Sequence, residues 1–548
     1  MALESGSARP EVALSEKPSE ERTGRAIAGA ASVIALMHLA ARVVGFAEQI
    51  LRGKYFGTSH RADAYEVASK VPTTIFFGCE KILNPSFLPS FIDLRQKEGE
   101  QKAWQLAGTT LALQAAFLAI LVIAGRAFSE QLVLWVAPGF YTADGGGPEK
   151  VEMTVRLMRI VFIAVFFLGL SSTTYCILNA FKRFATPALG DVLWKVGTVA
   201  GLIILYGRLD VYAIALGFLA GSILKLGTHV LALGRWLLKL RIGDAIRHPV
   251  FKRMLLLMLP MAFGFAYSEI RQLLDMRFAS PLSEGAVAAL NYPRRVTDLP
   301  YQIVAYALGI ALFPFLSEYA SEGKLDDLKR LLLSSLRMLL FMFVPVTVAL
   351  FILAEPTLRV IYQAGEFTER SVDLTTPVLE YYALGMLAQA LECVILQTFY
   401  SLKNTLTPTL VGFGTTMLHV GLAWWVTQTG SHDDPRGLAM AYTVARSVKV
   451  VLAFALLAQI LKGPSLRGQG SFVLKVIGAT AAMGLVMHLI YQQIVAVRPM
   501  TGRVDGLIVF AACSLVGGVA YIGLAYLMRL PEISSAVSAV KGRLKRGK

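Results

Sequence analysis

HLAARVVGFAEQILRGKYFG, residues 38–57, is apolar enough to lie in a membrane, yet it carries Arg42, Glu48 and Arg52. An ionisable side chain near the middle of a spanning helix costs roughly 2.5–3.5 kcal/mol on insertion scales, so such residues face a watery cavity or a partner. At about 100° per residue, Arg42, Gly45 and Gln49 share one stripe, while Glu48 and Arg52, four apart, are placed to pair with each other. Arg42 has no opposite charge within a turn of its own helix. It is expected to face a cavity and meet an anionic ligand, with Gly45 beside it permitting close approach.

The rest of the chain repeats this pattern. Of 548 residues, 55% are hydrophobic and 16% charged, against roughly half and a quarter in a soluble domain. Apolar runs of membrane-crossing length fall at 27–51, 66–92, 103–124, 153–180, 186–206, 211–236, 251–277, 287–316, 330–354, 372–401, 406–427, 437–461, 471–494 and 506–528. An all-α polytopic membrane protein of about fourteen spans is expected. Cys79, Cys176, Cys393 and Cys513 are scattered through apolar runs, without metal-ligand or disulfide spacing. No phosphate-binding G-x-x-x-x-G-K-[ST] is present, and no soluble segment is large enough to house an active site. An enzyme is therefore not expected, and neither is a metal or other cofactor. The net charge of +16 suits basic loops facing anionic lipid better than nucleic acid.

Charge also orients the chain. With the N-terminus inside, the inner loops hold roughly 25 Lys and Arg against roughly 11 outside, so both termini are read as cytoplasmic. The basic connection after the sixth run divides the chain. KRFATPAL (182–189) is matched by KNTLTPTL (403–410), FLPSF (87–91) by LFPFL (312–316), and Pro72 by Pro300, at nearly one offset. This reads as a parallel repeat of six plus six helices with two more at the end. The expected units are a disordered cytosolic tail (1–25), an N-lobe (26–236), a basic linker (237–253), a C-lobe (254–461), two further helices (462–530) and a basic tail (531–548). Charges inside the spans concentrate in helices one, two, seven and eight, corresponding elements of the two halves. A polar cavity between two lobes accounts for them most simply.

Several phrases carry a resemblance. They are ARVVGFAEQILRGKYFGTSHRADAYEVASKVP (41–72), EKILNPSFLPSF (80–91), VAPGF (136–140), NYPRRVTDLPYQIVAYALGIALFPFLSEYA (291–320) and IYQAGEFT (361–368). In order and spacing they resemble the MurJ (MviN) family of lipid II flippases, within the MOP exporter superfamily. The resemblance runs over nearly the whole chain after residue 27. It implies fourteen helices around a cationic central cavity, and movement of undecaprenyl-pyrophosphate-linked peptidoglycan precursor from the inner to the outer leaflet by alternating access. It implies a bacterial inner-membrane location, membrane lipids and a lipid-linked saccharide as ligands, cell-wall synthesis proteins as candidate partners, and a monomer. It also implies that the last two helices (462–530), with helix seven, form an apolar groove for the polyprenyl tail. Carried over residue by residue, it places Arg42, Lys70 and Arg295 in the cavity, with Asp275 and Asp298 as gate or ion-linked acids. Glu48 and Glu80, acids inside the first two spans, are further candidates for that role.

The chain also departs from the family pattern. Glu48-Gln49 stands where the family usually has an Arg-Asp pair, and TTIFFG (73–78) where it has a basic pair. Arg52 and Lys81 are the candidates to replace the lost charge. The segment TPTLVGFGTTMLHVGLAW (407–424) lacks the Asn and Asp of a sodium site, and His419 there reads as a packed histidine. Coupling to a monovalent ion or to the membrane potential stays open. So do two other functions: transport of another lipid-linked oligosaccharide, such as an O-antigen or exopolysaccharide unit, and a diverged scaffold that no longer transports.

Overall fold

The computed structural model describes residues 17–142, 146–243, 247–429, 434–463 and 469–533, without the side chains of 17–35, 263, 264 and 266–268. Among these residues the chain is helical throughout, and each expected span contains one long helix. They are α1 (Lys17–Phe56), α2 (His60–Glu98), α3 (Glu100–Ala127), α4 (Gly147–Ala180), α5 (Ala185–Leu209), α6 (Tyr212–Leu233), α7 (Pro249–Ala279), α8 (Ala286–Ser321), α9 (Leu325–Ile352), α10 (Glu369–Ser401), α11 (Leu406–Thr429), α12 (Arg436–Ile460), α13 (Gln469–Val497) and α14 (Arg503–Leu527). Short helices at Ser129–Val136 and Ala354–Tyr362 cap one face of the bundle. The other face carries the basic connections and is called the basic face below.

Two details differ from the sequence reading. Residues 17–25, expected to be disordered, form the first turns of α1. Glu20, Glu21, Arg22 and Arg25 are good helix formers, and Pro18 falls in the first turn, where a missing N–H costs the helix nothing. Residues 1–16, 244–246 of the linker and 534–548 of the basic tail lie outside the described residues. The prolines of α2 (Pro72, Pro85, Pro89) are accommodated within one continuous helix. In α8, by contrast, Pro300 is followed by a π-helical segment, Tyr301–Tyr306. Proline supplies no N–H to the ladder, and a wider turn is one way a helix absorbs that loss.

The repeat is visible in the backbone. Lys182 and Lys403, the matched lysines, both adopt φ 58°, a region L-residues seldom enter. Each closes its helix in the same way: the Lys182 amide donates to Asn179 and Arg183 to Leu178, as Lys403 does to Tyr400 and Asn404 to Phe399. The next helices then begin at Ala185 and Leu406. Within the first half, Gly197 and Gly201 of α5 meet Gly217 and Gly221 of α6 so closely that a Cβ at Gly221 would lie 2.2 Å from the Trp194 carbonyl.

The apolar cores show how the halves meet. On the face opposite the basic one, a single core takes Phe56, Tyr65, Val136 and Phe162 from the first half and Val287, Tyr292, Tyr362, Phe367 and Tyr382 from the second. Toward the basic face the core splits. One part packs Phe87, Phe91, Trp104 and Leu233 with Phe251 and Met254 of α7. The other packs Leu316, Leu332, Phe343 and Phe399 of the second half. A separate cluster fastens α13 and α14 to α9 through Met483, Met487, Val509, Cys513 and Tyr521. The lobes are thus welded at one face; toward the other they stay in contact along α2 and α7 and part between α1 and α8, where large apolar residues such as Leu36, Leu39 and Val43 of α1 and Ile303, Ile310 and Phe313 of α8 are left exposed.

Candidate functional site: a cationic cavity under a closed layer

Between the welded face and the opening lies a polar cavity. Its wall includes Glu48, Arg52, Glu66, Lys70, Lys195, Asp275, Arg294 and Arg295, with Tyr65, Trp194, Asn291 and Tyr382 between them. At about 1.5 Å per helical residue, Glu48, Lys70 and Arg295 sit about 12–15 Å below the ends of α1, α2 and α8 at the welded face. All three therefore occupy one level of the bundle.

Most of these charges are engaged. Lys195 of α5 donates to Glu48 at 2.9 Å. Arg52 donates to Glu66 of α2, and its guanidinium lies 4.7 Å from the Tyr65 ring centroid. Lys70 donates to Glu269 at 3.0 Å and to Gln272 at 2.8 Å, both on α7. Asp275 meets His419 at 2.5 Å, Arg271 at 3.1 Å and Arg294 at 3.5 Å. Arg295 differs. It is exposed to the cavity and makes no ion pair or hydrogen bond among the described residues. A guanidinium with five uncommitted donors is suited to a multidentate oxyanion such as a phosphate.

The welded face is a polar and aromatic seal. Asp63, buried at the start of α2, accepts from the amides of Gly285 (2.9 Å) and Ala288 (2.8 Å), in the first turn of α8. Lys150 of α4 donates to the same carboxylate at 3.0 Å, and both side chains are almost fully buried. An anion at a helix N-terminus is favoured by the free amides and the helix dipole. Around it, Glu366 donates its amide to the Lys54 carbonyl at 2.8 Å, Tyr292 donates its hydroxyl to Gly57, and Thr58 meets Ser371 at 2.9 Å. Gly57 has φ 52°, and a Cβ there would lie 2.1 Å from the Glu366 carbonyl oxygen. At the rim, burial opposes ionisation of Glu284. The His60 amide and ring outweigh that burial and hold the carboxyl below its ordinary range.

A family model described as lipid II flippase MurJ matches residues 53–497. The chain belongs to the MurJ family. A probable lipid II flippase MurJ of Bdellovibrio bacteriovorus is 29% identical over 501 residues, 90% of this chain and 94% of that protein. The lipid II flippase MurJ of Burkholderia cenocepacia is 26% identical over 503 residues, 89% and 95% of the two chains. Among solved structures, lipid II flippase MurJ in an inward closed conformation superposes with a TM-score of 0.74 at 23% identity, covering 90% of this chain and 98% of its own. An inward-facing MATE-family multidrug transporter of the MOP superfamily gives 0.64 at 14%, covering 77% and 94%. The two structures share the fold. Membership of the MurJ family and the set of long apolar helices make this a multi-pass protein of the bacterial inner membrane.

The geometry sorts the residues that the MurJ resemblance singled out. Arg295, Lys70, Arg52, Glu48 and Asp275 are brought together at the cavity. The expected Glu48–Arg52 pair is replaced by Glu48–Lys195 and Arg52–Glu66, because burial between helices offers each a better-placed partner than its own helix does. Arg42 is exposed and lies outside this wall. It is six residues, about 9 Å, nearer the basic face than Glu48, where the lobes have parted. Lys81 and Glu80 are displaced in the same direction, and Lys81 stacks over Phe265 of α7 at 5.1 Å. Asp298 turns toward α10, accepting from Gln389 at 3.4 Å. His419 is buried against Asp275. Lys150, Glu66 and Lys195 were missed as site residues. Each reads locally as an ordinary charge near a helix end or on a polar stripe, and only the fold supplies its partner.

Proposed function

We propose that this chain carries lipid II from the inner to the outer leaflet of the cytoplasmic membrane by alternating access. The observation that carries the reading is Arg295: an uncommitted cation on the wall of a cavity sealed toward one membrane face and bordered by parted lobes toward the other. The basic face is then cytoplasmic, as are both termini, and the substrate enters from that side. The enclosed part of the cavity measures about 180 Å³, less than the roughly 300–1,000 Å³ of sites that engulf a drug-sized ligand. It suits the pyrophosphate, with the saccharide and peptide in the wider space below, where Arg42 stands. The groove beside α13 and α14 takes the polyprenyl chain. Outward release follows when the Asp63 layer opens and the lobes close on the basic side.

The test is complementation in a bacterium depleted of its own lipid II flippase, with Arg295→Gln beside the parent at matched membrane levels. Rescue by the parent and loss in the variant supports the reading. A parent that inserts correctly and fails to rescue turns the assignment toward another lipid-linked oligosaccharide or toward a scaffold. Rescue by both leaves lipid II in place and removes Arg295 from the site.

A further inference from the structure

A second polar cavity, of about 210 Å³, lies inside the second lobe between α7, α10, α11 and α12. Its wall includes Arg271, Glu392, His419, Tyr442, Arg446 and Lys449, and the proposed transport route leaves it without a role. Its two ends are unlike in charge balance from any cation site. Glu392, nearly buried, has one oxygen 2.7 Å from Lys449 and the other 3.0 Å from Arg446. Asp275 at the far end is met by His419 on one oxygen and by Arg271 and Arg294 on the other. Every carboxylate oxygen of the cluster is thus already met by a cation or an imidazole.

The positive groups exceed the acids. Four cations, Arg271, Arg294, Arg446 and Lys449, face two carboxylates. Three of the guanidinium groups surround one ring, lying 5.0, 5.1 and 5.4 Å from the centroid of Tyr442. The Nε of Arg446, one terminal nitrogen of Arg294, the Nδ1 of His419 and the Oε2 of Glu392 are buried and have no hydrogen-bond partner, the last being held by its ion pair with Arg446. Burying a charge without a counter-charge is strongly unfavourable. Like charges gathered around one ring lower that cost if an anion sits among them.

We propose that this cavity is a binding site for a small inorganic anion, chloride being the probe and the expected occupant. The anion sits among Arg271, Arg446 and Lys449 and receives the free Arg446 N–H. The site ties α7 to α12 across the lobe and stands whether or not the cargo is lipid II.

Purified full-length protein in detergent, exchanged into gluconate at fixed ionic strength, is titrated with radiolabelled chloride, and its unfolding temperature is followed in parallel. The expected result is saturable binding near one chloride per chain with a rising unfolding temperature. Binding weakens about tenfold or more when one facing charge is removed, in Arg446→Gln and in Lys449→Gln. Glu392→Gln, which releases both cations, shifts affinity the other way by a similar factor, so the proposal remains testable if an arginine variant does not fold. Arg295→Gln, in the central cavity, leaves binding unchanged. Absence of saturable chloride binding to the parent overturns the proposal. So does binding that is lost in Arg295→Gln and kept in Arg446→Gln, which assigns the anion to the central cavity.

Discussion

Replacing Asp63 by asparagine should open the sealed face. The carboxylate accepts two amides from the first turn of α8 and one bond from Lys150, at 2.8–3.0 Å, with both charged side chains almost fully buried. An asparagine oxygen retains at most part of this set, and its NH₂ group then confronts an amide or the ammonium. Lys150 is left buried without its counter-charge. Removing one member of a buried, hydrogen-bonded pair costs about 3–5 kcal/mol. The other members are all on the two halves of the seal, so that cost falls on the closed arrangement. At about 1.4 kcal/mol per tenfold, the equilibrium between sealed and open forms moves by roughly two to three and a half orders of magnitude. The reporter is Leu290→Cys, buried on the cavity wall less than a turn past Ala288. It is labelled by a membrane-impermeant maleimide from outside, over the background set by Cys79, Cys176, Cys393 and Cys513. Labelling should be slow in the otherwise native chain and fast with Asp63→Asn. Adding Lys150→Met, which removes the stranded charge, should recover part of the protection. Equal labelling rates with and without Asp63→Asn, in folded protein at equal levels, would refute the reasoning.

Other outcomes follow from the same contacts. In complementation, Arg52→Gln should impair rescue strongly, because it strands Glu66 and empties a position on the wall, whereas Lys81→Gln should leave growth within about twofold, since an exposed cation–π contact contributes about 0.5–1 kcal/mol. Gly57→Ala should lower the unfolding temperature and raise outside labelling of Leu290→Cys: a left-handed φ alone costs an alanine about 1–2 kcal/mol, and its Cβ meets the Glu366 carbonyl. Glu284 is held below its ordinary pKa in the folded state. Its contribution to stability is therefore present above the unfolded value of about 4.5 and is lost as pH falls through the folded one. The gap in unfolding temperature between parent and Glu284→Gln should narrow as pH falls below 4.5; a gap that widens over that range contradicts this.

The spans were legible because length and apolarity are local properties, and the repeat was legible because the turn at Lys182 and its match at Lys403 impose the same backbone demand on similar residues. The site was legible only in outline. In α2, Lys70, Glu80 and Lys81 lower the apolarity by which length and hydropathy mark a span, and Lys70 is on the cavity wall. A charge in a spanning helix therefore announces that a partner exists without saying where. For Glu48 and Arg52 the nearest candidates in sequence were each other, four residues apart. The fold instead brings Lys195 from α5 and Glu66 from α2, and it caps α8 with an aspartate that precedes it by more than two hundred residues. What a span charge does is then decided by its partner. Asp63, with Lys150 and two amides, is a lock. Glu48 and Arg52, each neutralised across a helix interface, are wall. Arg295 and Arg42, without ion pairs among the described residues, have charge to offer a ligand. Of Arg42, Glu48 and Arg52, only Arg42 is therefore without an ion pair among the described residues, and on the proposed route the substrate passes it, on the side where α1 and α8 have parted, before reaching Arg295.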